Sequence, residues 1–317
     1  MKIIELSALS KHLKQPVKVQ ARLTGIKPAS KHVQKRYVEI QISDYTSDQA
    51  AYVWDGSGLT GLLEYIDVRE CPAIEVDCTP ILLDGRMFVK VSDISVIGEV
   101  SQLNSARLVP RLYVPYRGRA ALQQLVGIID RLKSSALRDI ANSVFANHDV
   151  MKAFVRCGAS WNHHHNYPGG LISHSVEVAE CAAINAIALN QDQLSVEVSI
   201  VSGLLHDFGK VAFQGNLKQV GGCTMPTHEI ATLELIKPVL NRFAAQYPDE
   251  VALLKHLFER FAYATNKKAT LVIVEDIVRS ADCLSTINVC GRSIADGLWL
   301  GQVDSQLEAA RRPPVFE

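Results

Sequence analysis

Gly203-Leu204-Leu205-His206-Asp207-Phe208-Gly209-Lys210 sets an imidazole and a carboxylate side by side directly behind an apolar run. Holding two such groups near a core is costly unless something satisfies both, and a bound divalent cation would do so. Two further positions extend the pattern. His174 follows Pro168-Gly169-Gly170-Leu171-Ile172-Ser173, where the glycines allow a tight turn into a helix whose first turn carries the imidazole. Asp282 stands in Val278-Arg279-Ser280-Ala281-Asp282-Cys283-Leu284-Ser285, a polar residue on a mostly apolar helix. Taken alone, the histidine reads as a satisfied core residue and the aspartate as a cap or salt-bridge partner. Taken together, His174, His206, Asp207 and Asp282 read as one metal site assembled from three separated helical segments, and such a site points to hydrolysis.

Imidazole nitrogens suit zinc, manganese or iron, and two carboxylates tilt the set toward harder divalent ions. The expected cofactor is a divalent metal, Mn2+ first, with Fe, Zn, Co or Mg as the other candidates, in one or two ions. Lys210 follows His206 by four residues and Asp207 by three, so helical geometry puts its ammonium on their face. There it could meet a phosphate, or serve the dipole of a helix end. His228, with Thr227 as an N-cap, opens another helix and reads as a further metal ligand or as a proton donor to a leaving group. Of the consecutive His163, His164 and His165, at most one or two can face a common pocket. His256, in Leu253-Leu254-Lys255-His256-Leu257-Phe258, reads as structural.

Upstream of this region the texture is different. Val17–Leu23, Tyr37–Ile42, Ala51–Trp54, Ala73–Cys78 and Phe88–Val91 alternate in the manner of strands, with Asp84-Gly85 as a hairpin turn and a short helix between Gly58 and Val68. Five strands with a helix between the third and fourth is the order of an OB-fold, a small barrel often used for single strands. A connector rich in proline and arginine follows, a hinge or a wrap-around strap kept wet by its arginines. From about Ala120 the apolar period becomes helical. The expected domains are 1–100, a barrel that binds nucleic acid, 101–119, a linker, and 120–317, an almost entirely helical domain carrying the metal site.

Composition bounds the function. The chain has 317 residues, 48% hydrophobic and 21% charged, which fits a globular protein of about two domains. Formal net charge is zero, which argues against holding nucleic acid by bulk electrostatics. The basic residues are nevertheless concentrated. Lys18, Arg22, Lys27, Lys31, Lys35 and Arg36 fall together without an acid among them, and Arg107, Arg111, Arg117 and Arg119 form a second zone. Lys27, Lys31, Lys35 and Arg36, on strand one and the loop after it, together with Arg111 and Arg117, are the expected contacts to a nucleic-acid backbone. Seven cysteines without a C-x-x-C pair fit buried thiols in a reducing compartment. The N-terminus carries no apolar signal-peptide core and no stretch approaches a membrane span, so the expectation is a cytoplasmic protein with no membrane partner. The apolar helical part leaves surface for self-association.

His174, His206-Asp207 and Asp282 resemble the H...HD...D pattern of the HD-domain metal-dependent phosphohydrolases. His164-His165-Asn166-Tyr167-Pro168-Gly169-Gly170-Leu171-Ile172-Ser173-His174 is similar to the lead-in of the YhaM-type 3′→5′ exoribonucleases, which join an N-terminal OB-fold to a C-terminal HD domain. The resemblance covers the chain from about Pro16 to about Ser285 and implies an all-α HD domain after the barrel. It implies that His174, His206, Asp207 and Asp282 bind the first metal and that His228 is the auxiliary histidine. In one respect this chain departs from the family: where a further histidine pair follows the position resembling His256, Glu259-Arg260-Phe261 stands instead, which counts against a second ion. Similar HD segments occur in conjugative plasmid relaxases. The function implied is a 3′→5′ exonuclease on single-stranded RNA, with DNA second, using Asp207, Lys210 and His228 in catalysis. The rival readings are an HD phosphohydrolase of a small nucleotide, and a non-catalytic nucleic-acid-binding accessory with a degenerate metal site.

Overall fold

The computed structural model describes residues 2–27, 37–160, 165–214, 227–263 and 273–289. Its first part is built on alternation. Val17, Val19, Ala21 and Leu23 of β2 (Val17–Lys27) point inward and are buried, as are Ile40 and Ile42 of β3 (Tyr37–Ser43) and Ala51 and Val53 of β4 (Asp48–Trp54). After α1 (Leu59–Glu64), β5 (Ala73–Leu83) and β6 (Arg86–Val96) form a hairpin through Asp84 and Gly85. Both turn residues have positive φ, 49° and 72°, as a tight two-residue hairpin requires.

The strands run in the order β1-β2-β3-β4-β6-β5, where β1 is the two-residue strand Ile3–Ile4 laid parallel to β2. A β2–β5 ladder from Val17↔Cys78 to Arg22↔Ala73 closes the sheet on itself, and β4 and β6 pair in parallel. Five closed strands in this order, with a helix between the third and fourth of them, make an OB-fold. Each of the five strands read from the sequence outruns its expected length, because the added residues break the alternation: Asp48, Thr79 and Asp93 are polar, and Leu82 and Leu83 are apolar but exposed.

Between the domains, residues 100–118 form a series of single 3-10 turns. This segment is not the wet connector expected from its arginines. Ala106, Leu108, Val109 and Val114 are buried, and all but Leu108 belong to the core of the helical domain. The apolar residues between the arginines turn inward and make it a strap. Arg107 pins the strap to both sides: its guanidinium meets Glu5 at 3.1 Å and Asp130 at 2.5 Å, beneath the Tyr45 ring at 5.8 Å. The Arg111 backbone N–H donates to the Asp44 carbonyl oxygen at 2.9 Å.

The helices that follow are α2 (Arg119–Arg131), α3 (Ser135–Phe145), α4 (His148–Phe154), α5 (Gly170–Ala188), α6 (Gln193–Leu205), α7 (Val211–Gln214), α8 (His228–Phe243), α9 (Pro248–Tyr263) and α10 (Ile273–Val289). Their starts are written locally. Ser134, Asn147, Asp192 and Thr227 each accept a backbone N–H three residues on, as N-caps do. At the centre is α5, packed between α6 and α10. By length and composition α5 is apolar enough to cross a membrane, but here it is the core helix of the bundle, with Leu171, Ile172, Val176, Val178, Ala179 and Ala182 fully buried. This ordering places the N-terminal turn of α5, the C-terminal end of α6, the start of α8 and the middle of α10 around one point.

Candidate metal centre and nucleic-acid face

His174 lies in the first turns of α5 with no solvent exposure. That turn exists because Gly169, at φ +87°, and Gly170 let the chain pass close under residue 165. A Cβ at Gly170 would sit 1.9 Å from the His165 carbonyl oxygen. His206 is the C-cap of α6, and Asp207 follows it into a 3-10 turn, Phe208–Lys210. Gly209 lets this turn press against the start of α8, where a Cβ would meet the His228 carbonyl oxygen at 2.1 Å. The Thr232 hydroxyl accepts the Gly209 N–H at 2.7 Å and ties the two segments together.

The side chains converge. His174 Nε2 faces Asp207 Oδ2 at 3.3 Å and Asp282 Oδ1 at 3.1 Å, and His206 Nε2 faces the same two oxygens at 3.4 and 3.7 Å. His174, His206 and Asp207 each offer a ligand atom within 4.8 Å of one another. Asp282 falls outside that triplet, yet its two distances put Oδ1 at the same point, and the direct distances decide its membership. The His206 ring donates through Nδ1 to the Gly203 carbonyl oxygen at 2.8 Å, which turns Nε2 into the cluster. That Nε2 is buried and makes no hydrogen bond. A buried ring nitrogen that faces two carboxylates at 3.4 and 3.7 Å is what a cation, taking the place of a ring proton, would satisfy, so the residues present fit a divalent ion.

The opposite oxygen of Asp207, Oδ1, faces His228 Nε2 at 3.0 Å, and Glu229 lies 3.4 Å from the same nitrogen. Lys210 Nζ lies 2.5 Å from Asp207 Oδ2. It sits on a 3-10 turn and not an α-helix, but its ammonium reaches the expected face. Of the three consecutive histidines, His165 is buried beside the cluster, its ring 5.6 Å from that of His174. His163 and His164 lie outside the described residues, as do Lys31, Lys35 and Arg36.

Charge in the cluster is strongly coupled. Burial pushes the Asp207 carboxyl up, but His206 and the other imidazoles around it outweigh this and hold it well below the usual carboxylate range. Asp282 is lowered in the same way, burial being outweighed by His174 and His206. Burial pushes the His206 imidazole down, but Asp207 and Asp282 outweigh it and raise it to about 10. With His206 raised above its unfolded value of 6.5, its stabilising contribution to the metal-free protein is complete below that pH and is lost as pH rises through about 10. The lowered aspartates contribute above their unfolded value of 3.8 and lose that contribution as pH falls through their folded values. A cation must displace the His206 proton. Calorimetric titration with manganese in buffers of different ionisation enthalpy is therefore expected to show release of about one proton at neutral pH, with affinity rising ~10-fold per pH unit. Affinity flat with pH would mean that the ion does not engage His206.

On the barrel, the outward positions of three strands carry a strip of partly exposed rings. Tyr37 and Trp54 lie 5.5 Å apart, Tyr37 and Tyr52 5.1 Å, and Tyr52 and Phe88 5.2 Å. Lys27, paired with Glu39 at 2.9 Å, lies along one edge, and the exposed Lys90, in register with Tyr52, along another. These rings were missed in the sequence, although their parity identifies them: residues 37, 52, 54 and 88 are the outward partners of buried Ile40, Val53 and Val89. The other described residues of the first basic zone are otherwise engaged. Lys18 pairs with Glu75, and Arg22 is buried and donates to the Cys71 carbonyl oxygen. In the second zone, exposed Arg117 lies 5.1 Å over the Tyr167 ring, beside His165 and the cluster, whereas Arg111 is half-buried in the strap.

Residues 171–287 match the family model of the HD domain, a segment that contains His174, His206, Asp207, Lys210, His228 and Asp282. The match and the donor set together support a metal-dependent phosphohydrolase of HD type on an OB-fold-plus-helical architecture. No curated protein matches the chain. Among solved structures, the chain is similar to the second OB-fold domain of replication protein A from Methanococcus maripaludis, at 15% identity over 31% of this chain and 96% of that one, with a TM-score of 0.24. It is also similar to an aspartyl-tRNA synthetase from Entamoeba histolytica, at 9% identity over 84% of this chain and 59% of that one, with a TM-score of 0.32. The chain thus spans less than two thirds of the synthetase.

Proposed function

We propose that the protein is a metal-dependent phosphodiesterase that removes nucleotides from the 3′ end of a single strand, RNA before DNA, while the barrel holds the strand behind. The observation that carries this reading is the convergence of His174, His206, Asp207 and Asp282 on one buried point. These four residues would hold the ion, with manganese as the first candidate. Once bound, the cation supplies polarisation of a phosphoryl oxygen and lowers the pKa of an attacking water toward ~7.

The remaining chemistry belongs to side chains. Asp207 orients the water through a carboxylate already fixed by its neighbours. Lys210, resting on Asp207 at the rim, offers its ammonium to the phosphate. His228, more than a third exposed and held by Asp207 Oδ1, donates a proton to the departing 3′ oxygen as the phosphorus–oxygen bond breaks. Arg117 on the strap contacts the phosphate backbone between barrel and cluster. The aromatic strip supports a single-stranded ligand, since bases of any sequence stack on such rings. The direction of digestion rests on the similarity of the His164–His174 segment to the YhaM-type enzymes.

Oligonucleotides labelled at one end or the other, digested with and without manganese, test this. A 5′-labelled RNA is expected to shorten stepwise, and a 3′-labelled one to release its label at once, both stopped by a chelator. Hydrolysis of free nucleotides without any ladder would favour the small-nucleotide reading, and strand binding without cleavage by any first-row metal would favour the accessory protein.

A further inference from the structure

Behind His174, away from the cluster, lies a chain of hydrogen bonds that the hydrolytic reading does not use. His174 Nδ1 lies 3.1 Å from Ser285 Oγ, and Ser285 Oγ lies 3.0 Å from Glu177 Oε2. The same Glu177 oxygen lies 3.1 Å from His165 Nε2, and His165 Nδ1 lies 3.0 Å from the Tyr167 hydroxyl. Burial pushes the Glu177 carboxyl up, but His165, then Ser285 and His174, outweigh this and hold it below the usual range, so it is a carboxylate and can only accept.

Its charge fixes the direction of every bond. Ser285 donates to Glu177, so the Ser285 oxygen receives the Nδ1–H of His174. His165 donates through Nε2 to Glu177, so its Nδ1 accepts from the Tyr167 hydroxyl. His174 is thereby held as the Nδ1–H tautomer with the Nε2 lone pair toward Asp207 and Asp282. The Gly203 carbonyl oxygen imposes the same tautomer on His206.

We propose that Glu177 and Ser285 are positioning residues that set the tautomer and ring orientation of His174 and so set the affinity of the cluster for its cation. This rests on the reading of the cluster as a cation site. The elements support it independently. Glu177 stands one helical turn after His174 on α5, and Ser285 one turn after Asp282 on α10, so each helix contributes one cluster residue and one brace. Glu177 is also 42% exposed, yet its carboxylate turns back onto a buried histidine and a serine rather than out to water.

The test is manganese titration calorimetry on the full chain, comparing the parent with Ser285→Ala, Glu177→Ala, the double variant, Ser285→Thr and His206→Ala, with thermal unfolding of each metal-free protein alongside. Loss of either brace is expected to weaken manganese binding ~10- to 100-fold, the range for outer partners of metal-bound histidines. The double variant should be no weaker than the worse single one, because the two act in series. Ser285→Thr, which keeps the hydroxyl, should recover most of the affinity. Parent affinity in Ser285→Ala and Glu177→Ala, with binding lost in His206→Ala, would overturn the positioning role and leave the cation site standing. Retained affinity in His206→Ala as well would overturn both. Fully additive losses in the double variant, tracking the loss of thermal stability, would reduce the chain of bonds to ordinary packing and also overturn the proposal.

Discussion

Asp207→Asn is expected to reduce hydrolysis by ~10³-fold or more, because cation polarisation is worth several kcal/mol and each 1.36 kcal/mol is a factor of ten. The substitution keeps the volume and one acceptor oxygen but removes the charge shared by His174, His206, His228 and Lys210. No other described residue touches all four. The variant should therefore lose the ion and the orientation of His228 together, and added manganese should rescue it poorly. Binding of a single strand should stay near that of the parent, because the barrel and the cluster have separate cores. Gel shifts and single-turnover cleavage with the same labelled RNA separate the two outcomes. Cleavage within tenfold of the parent would show that chemistry occurs elsewhere.

Joint replacement of Tyr52 and Trp54 by alanine should do the reverse. Stacking of a base on an aromatic ring is worth about 1–3 kcal/mol by alanine substitution, so losing both rings should weaken strand binding by about 30-fold or more. The salt dependence of binding should keep its slope, since no cation has been removed. By contrast, Lys27→Ala and Lys90→Ala should each lower the log-log slope by about 0.7. Hydrolysis of a small phosphodiester that never reaches the barrel should be unchanged. Equal losses on long and small substrates would mean that the barrel acts by supporting the fold and not by holding the strand.

The sequence disclosed parts of this molecule in proportion to how locally they are written. The five barrel strands and the helix after the third are local patterns, and so is the cap at Thr227. The HD pair is adjacent in sequence, and His174 stands behind two glycines whose purpose is legible at once. Strand β1 was missed because two residues carry no period; only its register against Lys18 and Val19 makes it a strand. A strap was one of the two readings of the connector, but its conspicuous arginines made it look wet, while the inward turn of Ala106, Val109 and Val114 depends on the core they join. Glu177 and Ser285 were invisible for a related reason. A glutamate and a serine on two helices, 108 residues apart, have no signature until those helices lie side by side.

That pairing governs how α10 is retained. Its own apolar stripe, Val274, Ile277, Val278 and Ala281, seats it on the bundle, and the buried Glu275 clamps it to Arg260 of α9 at 2.8 Å while pairing with Arg279 of its own helix at 3.0 Å. Asp282 and Ser285 then key the next turn to α5, so a slide of the helix by one residue would unlock both at once. A cation held there would be a keystone of the bundle as well as a reagent. Stripping it should loosen the last described helix before the rest of the bundle, and hydrogen exchange along 273–289 would register that loosening first.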